Sequence, residues 1–436
     1  MPIAAVPDYL GQDFSQASPG LRFGMYLPLW GMNQRTKTLN WETHDVTYAV
    51  RGQQQQEREV KQVNKGTALQ QACALSKGDK DIAKAMLQRQ NQTFADVRVA
   101  QGLRLQATAT APFTTGLGNE HPLENGFAFL NPYGLPYLPG SGVKGVLRQA
   151  AGELASGAWD ASDWGNDLRH EVQNPQGKHL MDASDLDVLF GSLAEDGENH
   201  LRGVLSFWDV IPQIEGSSLM VEIMTPHQSH YYQEDAKKGA GSTSPHDSGS
   251  PTPISFLTVP PQSKFTFHVV CDIFRLQHLA PDLAANERWK VLLTEAFKHA
   301  FEWLGFGAKT SVGYGAMGRD VQAEEKLAKS QIEAQAAADQ AAKMANLSHN
   351  VRLIAEFVLT CQNKVAQLRG GKERPNAETH AKARALSKAA LEGADWTTEE
   401  KRAAADALAE WLPQVVAVDM KDERKKLKLA ALRGQA

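Results

Sequence analysis

Apolar and polar residues alternate in several stretches of the chain, which is the pattern of a half-buried β-strand. The clearest stretches are 97–107, 201–211 and 264–274, and a shorter apolar run, 253–259, precedes the last of them. A Pro–Pro pair between 253–259 and 264–274 predicts a turn. These stretches predict strands that bury one face in a shared core. In 264–274 that face consists of Phe265, Phe267, Val269, Cys271 and Ile273.

Two further stretches repeat their apolar residues with the period of an amphipathic helix. The first begins after Gly140 and ends near Gly157, and the second, 286–304, runs into a glycine-rich loop. The order of strand, helix, strands, helix and loop predicts an α+β fold. Within it we expect a ferredoxin-like (RRM-like) core of β-α-β-β-α-β topology, with insertions, over 96–322.

Composition separates three regions along the chain. Residues 1–95 are predicted to be a partly helical N-terminal region without chemistry of its own. The core of 96–322 is interrupted at about 233–252 by a segment rich in Gly and Ser, which predicts a flexible insertion. Residues 323–436 are rich in Ala, Lys and Glu without a strand pattern, so they predict an all-α C-terminal extension. The helices of this extension are expected to break at Gly370–Gly371, Gly393 and Pro413.

The overall composition is that of an ordinary soluble globular protein, and the net charge is −4. This mild acidity argues against a nonspecific DNA-binding protein, although local basic patches remain compatible with nucleic-acid binding. We find neither an apolar run of transmembrane length nor a secretory signal, so we expect a cytoplasmic protein without a membrane partner. Since Cys73, Cys271 and Cys361 lie far apart, no metal, disulfide or other cofactor is expected.

Prolines and glycines are concentrated in 130–151, directly before the first predicted helix. We expect Ser141 to cap this helix, whose start exposes unpaired amide groups and the positive end of the helix dipole. Lys144 and Arg148 lie four residues apart on one face, so the helix start is a candidate phosphate site. The alternative is an ordinary loop-to-helix junction with two solvated cations. The residues assigned to the phosphate site are Gly140, Ser141, Gly142, Lys144, Gly145 and Arg148.

A second glycine-rich stretch, 305–318, allows three interpretations. A nucleotide P-loop is disfavoured because Ala308 precedes the lysine, Trp303 replaces the first glycine, and a helix precedes the loop. A dinucleotide fingerprint is disfavoured because no βαβ unit surrounds it. A nucleotide-binding enzyme is therefore the weakest of the alternatives that stay open. A loop that lies along a nucleic-acid strand fits best, with an ordinary surface loop as the alternative. The residues assigned to RNA contact are Gly307, Lys309, Thr310, Ser311, Gly313 and Tyr314.

Two motifs together resemble the RAMP superfamily of CRISPR proteins: PYLPGSGVKGVLR and, further along, GFGAKTSVGYG. Four more segments between them (TGLGNEHPLENGFAF, FWDVIP, EIMTPHQSHYY and PTPISFLTVP) resemble the family of sixth RAMP subunits of type III-B (Cmr) effector complexes. The resemblance covers 98–319 and leaves both ends of the chain unassigned.

This resemblance implies a non-catalytic RNA-binding subunit of a CRISPR ribonucleoprotein in antiviral defence. Such a subunit holds the 3′ part of the crRNA and its duplex with target RNA. The implied partners are crRNA, target RNA and other Cmr subunits, namely RAMP backbone and small helical subunits. Sequence specificity then comes from base pairing, and the protein contacts backbone and shape.

An endoribonuclease that cuts crRNA precursor or target RNA is the alternative function. Metal-independent cleavage needs a general base near a 2′-hydroxyl, usually a histidine. Carboxylates such as Glu120 and Glu124 could instead bind a cation, although loop hydrogen bonding is their commoner role. We assign no catalytic residue, and we assign His227 to RNA contact. The candidate histidines are His121, His227, His230 and His246.

Overall fold

The computed structural model of the chain combines helices and strands in two compact units, residues 1–332 and 333–436. The α+β class predicted from the sequence is confirmed by this mixture. The residues that the structure describes are 2–11, 13–32, 38–40, 43–49, 57–123, 125–159, 163–166, 169–173, 180–193, 200–225, 231, 244, 253–345, 347–368 and 370–434.

The strands of the described residues all belong to the first unit. They are β1 (Gly31–Met32), β2 (Leu39–Asn40), β3 (Thr43–Ala49), β4 (Glu57–Val63), β5 (Gly102–Ala109), β6 (Phe129–Leu130), β7 (Leu135–Pro136), β8 (Arg169–Gln173), β9 (Leu180–Ser184), β10 (Gly191–Leu193), β11 (His200–Arg202), β12 (Leu205–Phe207), β13 (Met220–Met224), β14 (Ile254–Thr258), β15 (Lys264–Cys271) and β16 (Met317–Arg319).

The helices occur in both units. They are α1 (Pro19–Gly24), α2 (Asn64–Cys73), α3 (Lys77–Ala95), α4 (Gly140–Ala155), α5 (Asp185–Phe190), α6 (Ile273–Leu279), α7 (Pro281–Ala284), α8 (Arg288–His299), α9 (Val321–Ala345), α10 (His349–Leu368), α11 (Glu378–Glu392), α12 (Thr398–Val415), α13 (Met420–Lys426) and α14 (Leu429–Leu432).

The central sheet of the first unit has four strands in the order β12–β15–β5–β16, and each neighbouring pair is antiparallel. Phe267 of β15 lies opposite Leu105 of β5, and Met317 of β16 lies opposite Ala109. The other strands of the described residues form two-stranded ribbons. The alternating pattern of β15 is confirmed, because Phe265, Phe267, Val269 and Cys271 are all buried.

Strand β15 ends earlier than its apolar pattern predicts. The prediction that the strand continues to Phe274 is wrong, because helix α6 begins at Ile273. The Asp272 side chain accepts a hydrogen bond from the Arg275 amide at 3.1 Å and so caps α6. Aspartate is a preferred residue at this position, and its carboxylate satisfies one of the unpaired amides of the first helical turn.

The two faces of the central sheet are both covered. On one face, the rings of Phe267 and Phe297 meet at 5.3 Å, which packs β15 against α8. On the other face, His268 Nε2 lies 3.1 Å from Asn91 Oδ1 of α3, and Arg104 donates to the carbonyl of Leu327 in α9. Burial and, to a lesser extent, the charge of Arg104 together lower the pKa of His268 to about 3. The sheet is therefore an interior element of the first unit.

Residues of the N-terminal part contribute to the same hydrophobic core as the central sheet. Phe23, Leu27 and Leu69 are buried together with Leu105 and Phe265 in one cluster. Arg22 is also buried, and its guanidinium donates to the backbone carbonyls of Ala17, Gln71 and Ala74. This stretch of the chain is thus held by both apolar packing and hydrogen bonds.

The second unit has a hydrophobic core of its own, to which helices α10, α11, α12 and α14 contribute. Helix α12 continues through Pro413 to Val415, so the predicted helix break at Pro413 is wrong. Leu412 and Val415 on either side of this proline are buried, and their packing favours the helical path in its last turn. The core includes Phe357, Cys361, Ala383, Leu386, Leu408, Leu412, Val415 and Leu427.

Candidate nucleic-acid interface

Helix α4 begins at Gly140, directly after Pro139. Ser141 is therefore the second residue of the helix, and the prediction that it caps the helix is wrong. The cap comes from elsewhere in the chain, since Asp209 Oδ1 accepts a hydrogen bond from the Gly140 amide at 2.7 Å. A carboxylate suits the positive end of the helix dipole. The start of α4 thus already holds one negative charge from the protein itself.

The three glycines at the start of α4 have different surroundings. A Cβ on Gly140 would collide with the carbonyl oxygen of Phe207, so this glycine permits close packing inside the protein. A Cβ on Gly142 would make an ordinary contact of 3.5 Å with Leu138. A Cβ on Gly145 would meet nothing within 4 Å. The part of the helix that a ligand can approach is therefore at Gly142 and Gly145.

The two cations of α4 also differ. Arg148 is exposed and donates from Nη1 to the carbonyl oxygen of Gly191 at 2.8 Å. Lys144 is half-buried and makes no hydrogen bond or ion pair with any residue that the structure describes. The amides of Ser141 and Gly142 likewise have no acceptor among those residues. We call these two amides and the Lys144 ammonium the α4 donor group.

The glycine-rich loop is folded back on itself by backbone hydrogen bonds. The Phe306 amide donates to Gly315 O at 3.0 Å, and the Gly315 amide donates to Pro112 O at 2.9 Å. Gly315 has a φ of +74°, and a Cβ there would collide with the carbonyl oxygen of Phe306. The Ala308 amide also donates to Thr114 O at 2.8 Å. Gly315 is therefore required by the tight internal fold of the loop.

Lys309 is directed onto the β13–β14 ribbon. Its Nζ lies 5.3 Å from the ring centroid of Phe256 and donates to the sulfur of Met224. Neither partner carries a negative charge. The Tyr314 ring lies 5.7 Å from the same Phe256 ring. Burial raises the pKa of Tyr314, and the adjacent Glu222 raises it further.

The tip of the loop is the short turn Thr310–Val312. Ser311 and Gly313 are exposed, Thr310 is half-buried, and Val312 is 70% exposed. Gly307 is exposed as well. No hydrogen bond, ion pair or ring contact between described residues joins this loop to the start of α4. Each of the two predicted stretches carries one lysine, Lys144 or Lys309, and among the described residues they make no direct contact of these kinds.

Sequence reasoning missed three residues of these surfaces. Asp209 stands between apolar residues in the stretch FWDVIP, and its isolation there was the available signal. Met224 and Phe256 lie in strands, where their residue types are indistinguishable from ordinary core positions. A contact between β14 and a loop some fifty residues later depends on the tertiary fold.

His227, His230 and His246 lie outside the residues that the structure describes, as does Glu124. The assignment of His227 to RNA contact therefore stays a prediction.

His121 is built into the fold. Its Nε2 donates to Phe23 O at 3.0 Å, and its Nδ1 accepts from the Leu123 amide at 3.1 Å. Its ring stacks on the Phe23 ring with centroids 3.9 Å apart. Burial lowers the pKa of His121. Both ring nitrogens are used inside the protein, so neither is available to take a proton from an RNA hydroxyl.

Metal-ligating side chains do not cluster in the described part of the chain: no group of three His, Cys, Asp or Glu residues is arranged to hold an ion there. The three cysteines are buried free thiols, and burial raises the pKa of Cys73 and Cys271 to about 12. Across the same residues, no helix is long and apolar enough to cross a membrane.

Comparisons with known proteins give a consistent family. A model of the RAMP superfamily matches residues 106–317. The CRISPR system Cmr subunit Cmr6 of Pyrococcus furiosus is 28% identical over 237 residues, covering 46% of this chain and 63% of that relative. The chain thus matches less than two thirds of the length of this relative.

Three solved structures are similar to parts of the chain. The crystal structure of Cmr6 from Pyrococcus furiosus has 25% identity and a TM-score of 0.27, covering 50% of this chain and 97% of that one. The type III-B Cmr-beta complex bound to cognate target RNA has 16% identity and a TM-score of 0.36, covering 58% and 69%. A type IV-B CRISPR complex has 15% identity and a TM-score of 0.30, covering 50% and 89%.

Proposed function

We propose that this chain, which belongs to the RAMP superfamily and resembles Cmr6, is an RNA-binding subunit of a type III-B CRISPR effector complex. In this role it holds the 3′ part of the crRNA and its duplex with target RNA, next to other Cmr subunits. The complex acts in the cytoplasm in antiviral defence. The role is non-catalytic, and base pairing between the two RNAs supplies the sequence specificity.

The α4 donor group is the observation that carries this proposal. Its two amides lie at the start of a 16-residue helix, where the helix dipole favours an anion. The ammonium of Lys144 follows within one turn and has no partner among the described residues. Because the matched RAMP region includes this helix start, the backbone phosphate of RNA is the ligand that fits it best.

The arrangement of the central sheet supports recognition of the RNA backbone. Its antiparallel order β12–β15–β5–β16, with α4 after β5 and α8 after β15, supports the ferredoxin-like core that we propose. RRM domains of related topology stack RNA bases on aromatic residues of an open sheet face. Here that face is covered, since His268 contacts α3 and Arg104 contacts α9. We therefore assign RNA contact to loops and helix starts.

The glycine-rich loop supplies a second RNA contact in this proposal. Lys309 has a ring and a thioether as neighbours, and an RNA phosphate is a stronger partner for its ammonium than either. The exposed residues Ser311 and Gly313 lie beside it at the tip of the loop.

Salt dependence of RNA binding tests the proposal. Lys144→Ala and Lys309→Ala are each expected to weaken binding of a crRNA 3′ fragment without changing its base preference. Each variant should also reduce the slope of log affinity against log salt concentration by about 0.7, since about one phosphate contact is lost. Fluorescence anisotropy with labelled RNA over a series of NaCl concentrations measures both quantities.

Lys84→Ala is a matched control for these variants, because Lys84 is an exposed lysine of α3 remote from both assigned stretches in sequence. Its affinity and salt slope should equal those of the unmodified chain. If Lys144→Ala and Lys309→Ala also keep the original slope, neither lysine contacts a phosphate and the proposed RNA surfaces are wrong.

A further inference from the structure

The second unit carries a concentrated positive surface on α13. Within eight consecutive residues the chain has five cations, and all five side chains are exposed. We call this surface the α13 patch. It consists of Lys421, Arg424, Lys425, Lys426 and Lys428.

The α13 patch is rigidly attached to the core of its unit. Glu423 points inward from the same helix, and its carboxylate lies 2.6 Å from His380 Nε2 of α11. Lys426 approaches that carboxylate at 3.3 Å and Arg384 at 4.0 Å. Burial alone would raise the pKa of Glu423, but the hydrogen bonds from His380 and Lys426 lower it overall. The Ser387 hydroxyl also donates to Leu427 O at 2.7 Å.

The charges of the α13 patch are only partly balanced, since two carboxylates, Asp422 and Glu423, lie among its five cations. Among the described residues, no carboxylate forms an ion pair with Lys421, Arg424, Lys425 or Lys428. Four other cations of the same unit have partners, in the pairs Lys364–Glu373, Lys382–Glu378, Lys388–Glu392 and Arg433–Asp406. The patch therefore concentrates unpaired positive charge on a fixed helix, where a polyanion gains more than it would from scattered surface lysines.

The composition of the patch favours nucleic acid over a protein partner. Protein interfaces are depleted in lysine and enriched in aromatic residues, whereas nucleic-acid interfaces are strongly positive. Four of the five cations are lysines. Among the described residues 370–434, no large hydrophobic side chain is exposed. Lys421 and Lys425 are four residues apart, about 6 Å along the helix axis, so they can contact successive phosphates.

We propose that the α13 patch is a second RNA-binding surface, which holds the sugar–phosphate backbone of RNA independently of base sequence. The proposal rests on the proposed function in one respect, namely that the chain works on RNA. It gives the helical unit, which lies outside the matched RAMP region, a direct part in binding that RNA. The contacts are ammonium and guanidinium groups on phosphate oxygens, so the binding depends strongly on salt.

The test uses the full chain and a labelled, mixed-sequence, single-stranded RNA of about forty nucleotides. The triple variant Lys421→Gln, Arg424→Gln, Lys425→Gln removes three charges and keeps polar, helix-compatible side chains. We expect the slope of log affinity against log salt concentration to fall by about 2, which is about 0.7 for each of three lost contacts. The control triple Lys372→Gln, Lys401→Gln, Arg402→Gln removes three charges elsewhere in the unit and should leave the slope unchanged.

A charge-retaining variant distinguishes loss of charge from loss of structure. Lys421→Arg with Lys425→Arg should keep the salt slope of the unmodified chain. Circular dichroism should give equal helix content for all variants. The inference is overturned if the Gln triple keeps the original slope while Lys144→Ala reduces it, and the proposed function then stands.

Two other results also overturn the inference. An unmodified chain that shows no salt-dependent RNA binding would remove the proposed function as well. A Gln triple that binds RNA normally but loses a copurifying acidic protein would identify the α13 patch as a protein-docking surface.

Discussion

Asp209 shows how a single side chain can determine the chemistry of a helix start. It replaces the expected Ser141 cap by accepting from the Gly140 amide at 2.7 Å, although it lies 69 residues further along the chain. The sequence could indicate that a cap was needed, because Pro139 and the glycines mark the boundary of α4. The sequence could not indicate which distant side chain would accept the hydrogen bond of this cap. Serine is a common capping residue, but in the fold Ser141 lies inside the helix instead of before it.

Replacing Asp209 tests its capping role. Asp209→Ala is expected to lower the free energy of unfolding of the first unit by about 0.5–2 kcal/mol, because the Gly140 amide loses its acceptor. Asp209→Asn keeps an acceptor oxygen and should cost less. Urea denaturation followed by tryptophan fluorescence measures the difference. Asp81→Ala, at an exposed aspartate of α3, is the control; a loss no larger than the control's would exclude a capping role for Asp209.

At the scale of elements, the periodicity of apolar residues predicted the positions of helices and strands more accurately than their ends. The buried face of β15 was predicted residue by residue up to Cys271, but the strand stops there because Asp272 caps a new helix. Helix α8 begins at Arg288, two residues later than predicted, because Asn286 and Glu287 adopt positive φ angles. The errors lie at ends, where capping and turn geometry outweigh the apolar pattern.

Two glycines of helix α4 are expected to change the stability in opposite directions when each is replaced by alanine. Gly140→Ala is expected to destabilise the protein, because the new methyl group collides with the Phe207 carbonyl oxygen. Gly145→Ala should raise the free energy of unfolding by about 0.5–1 kcal/mol, because open space surrounds a glycine in a helix interior. Thermal denaturation of both variants measures the contrast. Equal effects of the two substitutions would show that the packing of Gly140 on Phe207 is not a constraint.

At the scale of the whole molecule, composition and motifs predicted the α+β class and the RAMP relationship. The domain boundaries at 95/96 and 322/323 stay predictions, as does the flexible insertion, most of which lies outside the described residues. The burial of the sheet on both faces had no sequence signal. It depends on helices α3 and α9, which come from opposite ends of the first unit and meet β15 and β5 only through the fold.

The proposed role predicts the behaviour of the purified chain toward RNA. Incubation of the full chain with labelled crRNA precursor or target RNA, with and without Mg²⁺, is expected to leave the RNA intact. The reason is that the proposed role consists of contacts to the RNA backbone, and His121, the described candidate base, uses both ring nitrogens inside the fold. Denaturing electrophoresis gives the measurement. Cleavage that His227→Ala or His230→Ala abolishes would establish an endoribonuclease and contradict the non-catalytic role.

The carboxylate of Asp209 also affects how strongly free phosphate and nucleotides are expected to compete with RNA for the start of α4. A lone phosphate ion or a free nucleotide that approaches α4 meets a resident anion and gains only one or two contacts in return. An RNA chain approaches with many phosphates, so repulsion at one of them is outweighed by attraction at the others. We expect this charge to disfavour free mononucleotides at the helix start more than it disfavours RNA. Asp209→Asn should therefore lower the ATP concentration that displaces labelled RNA in a competition assay.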